Sequence, residues 1–173
     1  MKSYVKNNLI KGLLTPPKAN IKILSITFIY ATIALVVGFY SKIFHVQLIE
    51  SRLIYILPFT LFIFPSLLEE AFFRGMLIAQ DTRKKGIGQT IKMIIWSTTL
   101  FILWHPINAM LINHAAIPLF FNPAFLTITA MLGIVCSYSY IMTQSLWAPI
   151  MIHWITVMLW VFFLGGRNLI LDI

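Results

Sequence analysis

Charge is what this sequence has least of. Only 10% of its 173 residues are Asp, Glu, Lys or Arg, against about 25% in an ordinary soluble domain. A soluble fold of this size cannot cover its core with so few charged groups, so the bilayer must serve as the apolar solvent. Acidic side chains are scarcer still, at five in the whole chain. With a single cysteine, Cys136, no disulfide framework can form within the chain. From Met93 to Gly166 there is no Asp, Glu, Lys or Arg at all, which points to three consecutive membrane helices joined by short turns. There is no internal repeat, a feature that transporters usually show.

What is present fits that frame. Hydrophobic residues make up 60% of the chain, with 14 Phe, 5 Trp and 6 Tyr suited to lipid-facing and interfacial positions. The net charge of +8 sits outside the apolar runs. It therefore indicates topology and anionic lipid, and no nucleic-acid partner is expected.

The expected architecture is all-α. It is a polytopic membrane helix bundle of about five to six transmembrane helices with an intramembrane active-site cavity. Residues 1–173 form one integral membrane domain, with a basic cytoplasmic leader at 1–20 and a motif-bearing core at 66–166. The apolar stretches at 23–40, 53–79, 93–113, 124–142 and 150–164 are the span candidates, each near the length of about 20 residues that a crossing requires. The first is too long for a signal-peptide core and is taken as a retained helix. The leader and the 81–92 loop hold most of the Lys and Arg, which puts both, and the N-terminus, in the cytoplasm. Small size and compact loops point to a bacterial cytoplasmic membrane.

Two of the five acidic residues are neighbours inside an apolar segment, Ser66-Leu67-Leu68-Glu69-Glu70-Ala71-Phe72-Phe73-Arg74-Gly75. Charge at membrane depth costs about 2.5–3.5 kcal/mol per group on insertion scales. Glu70 and Arg74 stand four apart and can pair on one helix face. Glu69 points about 100° away and has no partner on its own helix, as a general base requires. His105 lies in the middle of a span, followed by Pro106, which cannot donate a backbone hydrogen bond, and by Asn108 on the same face. His153 lies in the last span. A carboxylate and two imidazoles on three helices can face one interior, where the carboxylate takes a proton from water and an imidazole polarises the attacked carbonyl. His45 and His114 fall in connections and are expected at the surface.

Three segments, Glu69-Glu70-Ala71-Phe72-Phe73-Arg74, Phe101-Ile102-Leu103-Trp104-His105 and His153-Trp154-Ile155-Thr156-Val157, occur in order, each in its own span. They resemble the Glu-Glu-x-x-x-Arg, Phe-x-x-x-His and His-x-x-x-Asn motifs of the CPBP family of CAAX-processing and bacteriocin-processing (Abi) intramembrane endopeptidases. The resemblance implies hydrolysis of a peptide bond in a membrane-associated peptide or protein, prenylated or of the bacteriocin or signal type, by glutamate-activated water. Carried over, Glu69 is the base, Glu70 and Arg74 support the site, His105 orients or shares the water, and His153 stabilises the oxyanion. The third motif has Val157 where the family has Asn, so Thr156 or Asn108 is the candidate replacement donor. Glu69, His105 and His153 are also of types that hold zinc. However, no His-Glu-x-x-His helix is present, and the resemblance implies no obligatory metal or other cofactor. The alternatives are a non-catalytic scaffold or immunity protein and a small proton-relay transporter.

Overall fold

The computed structural model describes residues 2–18 and 20–166; Arg167, which follows the last span candidate and its two glycines, lies outside the described residues. The described chain is helical, with eight α-helices and no strand among the described residues. An isolated bridge joins Gln47 to Leu164.

Helix α1 covers Lys2–Leu14 and α2 covers Ile21–Tyr40. Asn20 caps α2, its side chain accepting from the Lys22 amide, which satisfies one of the orphan donors of a helix start. Residues 57–76 form a broken helix that carries the first motif. Within it α3, Leu57–Leu61, and α4, Leu68–Glu70, alternate with π-helical turns at Phe62–Leu67 and Ala71–Met76. Pro65 lies in the first π-turn and Phe64 leaves helical geometry at φ −120°, ψ 116°. This segment, expected as one span over 53–79, is therefore shorter and kinked, because proline cannot complete the backbone ladder.

The loop that follows ends at Gly86, whose φ of +95° a residue with a Cβ adopts only with strain. Helix α5 then runs Ile87–Leu111, beginning before the expected Met93 and taking Lys92 into its first turns. The uncharged connection contains a 3-10 turn at His114–Ala116 and the short α6, Ile117–Phe120. Helix α7, Pro123–Thr143, starts with proline at its first position beneath an Asn122 cap. It ends at Gln144 in the left-handed region. Helix α8 is Trp147–Phe163.

Three helices, α2, α5 and α7, are long and apolar enough to cross a membrane, while α8 falls just short at 17 residues. At 1.5 Å per residue α8 measures about 26 Å, inside the lower limit for a span. The spans are apolar on most of their outer surface, with Leu24, Phe28, Ile95 and Trp96 more than half exposed, as lipid-facing helices are. Their inner surfaces are lined by small and polar residues. Ser97, Thr98, Gly133, Ser137 and Ser139 let α5 and α7 approach closely, the usual device where no hydrophobic effect drives helices together.

Helix α1, which forms most of the leader, docks on the end of the broken helix. The buried Asn8 side chain donates to the carbonyls of Gly75 (2.6 Å) and Ile78 (2.8 Å) and accepts from the Gln80 amide (2.9 Å). The far end of α1 is tied to the α7–α8 turn. Leu146 N–H donates to the Gly12 carbonyl, Ser145 Oγ to that of Thr15, and Trp147 Nε1 to that of Leu13.

Candidate active site

The broken helix delivers Glu69, Glu70 and Arg74, α5 delivers Trp104, His105 and Asn108, and α8 delivers His153 and Thr156. Glu69, His105, His153, Asn108, Thr156 and Val157 all line one cavity of about 950 Å³, whose other walls are mostly apolar and include Tyr30, Phe73, Phe120 and Leu132. Glu70 and Arg74 lie behind that wall, both fully buried.

Their burial is matched by pairing. Arg74 donates through one terminal nitrogen to Glu70 Oε1 (3.0 Å) and through the other to the Gly133 carbonyl (3.2 Å). The same Glu70 oxygen lies 2.9 Å from His153 Nδ1. A carboxylate accepts, so Nδ1 carries the proton and Nε2 is the remaining polar atom of the ring. Glu70 and Arg74 thus fix the orientation of the imidazole on α8. An ion pair at this depth contributes little net stability, because desolvation offsets the attraction. Its structural consequence is that three helices are held in one register.

Phe101, fully buried, packs against Arg74 and both imidazoles. Arg74 sits over its ring at 4.5 Å, and the imidazoles of His105 and His153 meet it edge-on at 5.0 and 5.7 Å. His105 Nδ1 lies 2.9 Å from the Phe101 carbonyl. That carbonyl can only accept, so Nδ1 again holds the proton and Nε2 of the neutral ring is a free acceptor.

Glu69 differs from its neighbour in lining the cavity, where it is half-buried. One of its oxygens accepts from Trp104 Nε1 at 3.1 Å. Among the described residues, Oε2 of Glu69 and Oε2 of Glu70 are both buried without a hydrogen-bond partner, which is uncommon for a carboxylate oxygen.

The hydroxyl of Thr156, a candidate donor at the third motif, donates to the Ile152 carbonyl of its own helix at 2.8 Å, while Asn108 and Asn113 are amides that line the cavity. Among the described residues no three His, Cys, Asp or Glu side chains stand together as a metal-holding group, and both imidazole Nδ1 atoms are engaged elsewhere. His45 and His114 are exposed, as expected for connections.

Sequence reasoning missed Trp104, Tyr30 and Asn8. Trp104 carried a signal, being adjacent to His105 and therefore about 100° round the same helix. Asn8 carried none, since its hydrogen-bond partners Gly75, Ile78 and Gln80 are more than 60 residues away in the chain.

No curated protein and no solved structure matches the chain. A family model does match, over residues 50–159, and the matched stretch holds all three site-bearing helices while leaving out the docked leader. That model describes the Rce1-like type II CAAX prenyl endopeptidases, and this chain, an integral membrane helix bundle, belongs to their family.

Proposed function

We propose that the protein hydrolyses a peptide bond in a membrane-associated, prenylated peptide by activating water with Glu69, without an obligatory metal. The observation that carries this reading is that Glu69 lines one cavity with His105 and His153, while Glu70 is tied to Arg74 and His153 behind its wall. Water held between the Glu69 carboxylate and His105 Nε2 loses a proton to Glu69 and attacks the carbonyl carbon. Anchored through Nδ1 on Glu70, a doubly protonated His153 offers Nε2–H to the oxyanion. The C–N bond then breaks as Glu69 returns the proton to the leaving amine. Glu70 and Arg74 position His153 and touch no reacting atom. The apolar walls suit a prenyl chain, and a cavity of this size is typical of sites that bury most of a ligand.

The test is cleavage of a fluorogenic farnesylated peptide by detergent-purified protein, with and without a chelator. Glu69→Gln keeps the acceptor for Trp104 but removes the base, so turnover is expected to fall about a hundred- to ten-thousandfold with the thermal unfolding midpoint unchanged. His153→Ala is expected to be inactive, and wild-type activity to persist in chelator. Wild-type activity that Glu69→Gln retains would refute the glutamate mechanism. Activity abolished by chelator and restored by zinc would refute its metal-free form. A wild type that cleaves no such peptide would favour the non-catalytic scaffold, with Val157 as the reason.

A further inference from the structure

A second hollow, of about 440 Å³, lies away from the site where the α7–α8 turn, the 81–86 loop and the end of the leader meet. Its floor is Ile141 to Gln144, and three cations form its rim: Lys18, Arg83 and Lys84. All three are exposed. Among the described residues, none is bonded to a carboxylate or to a backbone carbonyl. The ion pair in this loop is Lys85 with Asp81, and Asp81 is the one acidic residue in it.

Capping of α7 does not account for them. Cations favour a helix C-terminus, but none of the three is bonded to a carbonyl there among the described residues, and the Ser139, Tyr140 and Gln144 carbonyls have other partners. The Gln144 amide donates to the Tyr140 carbonyl, Thr143 Oγ1 to that of Ser139, and Gln80 Nε2 to that of Gln144. The convergence of three like charges is instead imposed by hydrogen bonds. Ser145 on the Thr15 carbonyl brings in Lys18, three residues on. The reciprocal Gln80–Gln144 amide bonds and the buried Thr82 hold the turn that carries Arg83 and Lys84. Gathered around one hollow, these charges repel one another unless an anion lies among them.

The depth of the hollow indicates which anion. Helix α5 begins at Ile87 and α7 ends at Thr143, so the rim stands at the membrane boundary, with apolar Ile141 and Met142 beneath it. Basic pockets between transmembrane helices at this level take anionic headgroups. We propose that Lys18, Arg83 and Lys84 form a binding site for the phosphate of an anionic phospholipid, independent of the hydrolytic site. A bound phosphate would bridge the leader, the loop and the end of α7 through charge-assisted hydrogen bonds.

The test uses the full chain in a neutral detergent and follows the thermal unfolding midpoint. The added probes are short-chain phosphatidylglycerol, short-chain phosphatidylcholine and inorganic phosphate, in separate titrations. Phosphatidylglycerol is expected to raise the midpoint saturably and phosphatidylcholine to leave it unmoved. Removing one cation, as in Lys84→Gln, should weaken binding about fivefold, and Lys18→Gln/Arg83→Gln/Lys84→Gln about a hundredfold. Lys6→Gln/Arg52→Gln/Lys92→Gln, which removes equal charge elsewhere, should retain the full response. The site is overturned if the cleft variants respond like wild type, or if the control triple loses the response as well. A response to inorganic phosphate equal to that to phosphatidylglycerol would overturn the lipid and assign the site to free phosphate.

Discussion

The guanidinium of Arg74 lies over the ring of Phe101, 4.5 Å from its centroid. This contact explains why a phenylalanine four residues before His105 belongs with an arginine 27 residues earlier. The ring closes one face of the buried cation while its edges meet both imidazoles. In Phe101→Leu the cation–π attraction, about 2 kcal/mol when desolvated, is lost along with the support under His105 and His153. The expected outcome is a lower thermal midpoint together with lower turnover. A midpoint equal to wild type would show that the ring is not a support.

Arg74→Gln leaves the Glu70 carboxylate buried opposite a neutral partner. Breaking a buried pair from one side costs about 3–5 kcal/mol, and denaturation in detergent should register it. Arg74→Met combined with Glu70→Gln removes both charges, and it should be more stable than Arg74→Gln alone. The double variant should lose activity, because it no longer holds His153 through a carboxylate.

Gly133 sits where α7 meets α5, and a Cβ there would stand 2.9 Å from Thr98 Cγ2 and 3.3 Å from the Phe101 ring. Gly133→Ala is expected to destabilise by about 1–3 kcal/mol through overpacking. Thr98→Ser deletes the obstructing methyl and should recover part of the loss. Equal midpoints for the single and double variants would place the strain elsewhere.

Asn8→Ala strips partners from the Gly75 and Ile78 carbonyls and from the Gln80 amide. Unsatisfied buried groups cost about 1–3 kcal/mol each, so the leader should detach before the bundle unfolds. Limited proteolysis is expected to cleave the variant near Pro16-Pro17 under conditions that leave wild type whole.

Val157 faces the cavity at the position where an amide would stand in the third motif. Since Thr156 donates its proton to Ile152, Val157→Asn adds a second oxyanion donor on α8 beside His153. Turnover on the farnesylated peptide should rise, by up to the hundredfold that such a donor contributes. Unchanged turnover would identify Asn108 as already sufficient.

Much of this was legible without coordinates. A chain 10% charged, with no charged residue from 93 to 166, has to place its apolar helices in lipid, because burial and hydration leave no alternative solvent. Glu69, Glu70 and Arg74 stood out for the same reason, as charge is expensive at that depth. The i,i+4 spacing likewise set Glu70 against Arg74, since helical geometry is local. Tertiary structure alone decided which carboxylate faces the cavity. Glu70 is bound to Arg74 and His153 behind the wall, and Glu69 lines the cavity. It alone also docked the leader on the bundle, through one asparagine whose partners lie about 70 residues away. Periodicity and composition report a residue's own helix and its solvent. Contacts between distant segments depend on how several helices pack at once, and no local pattern encodes that.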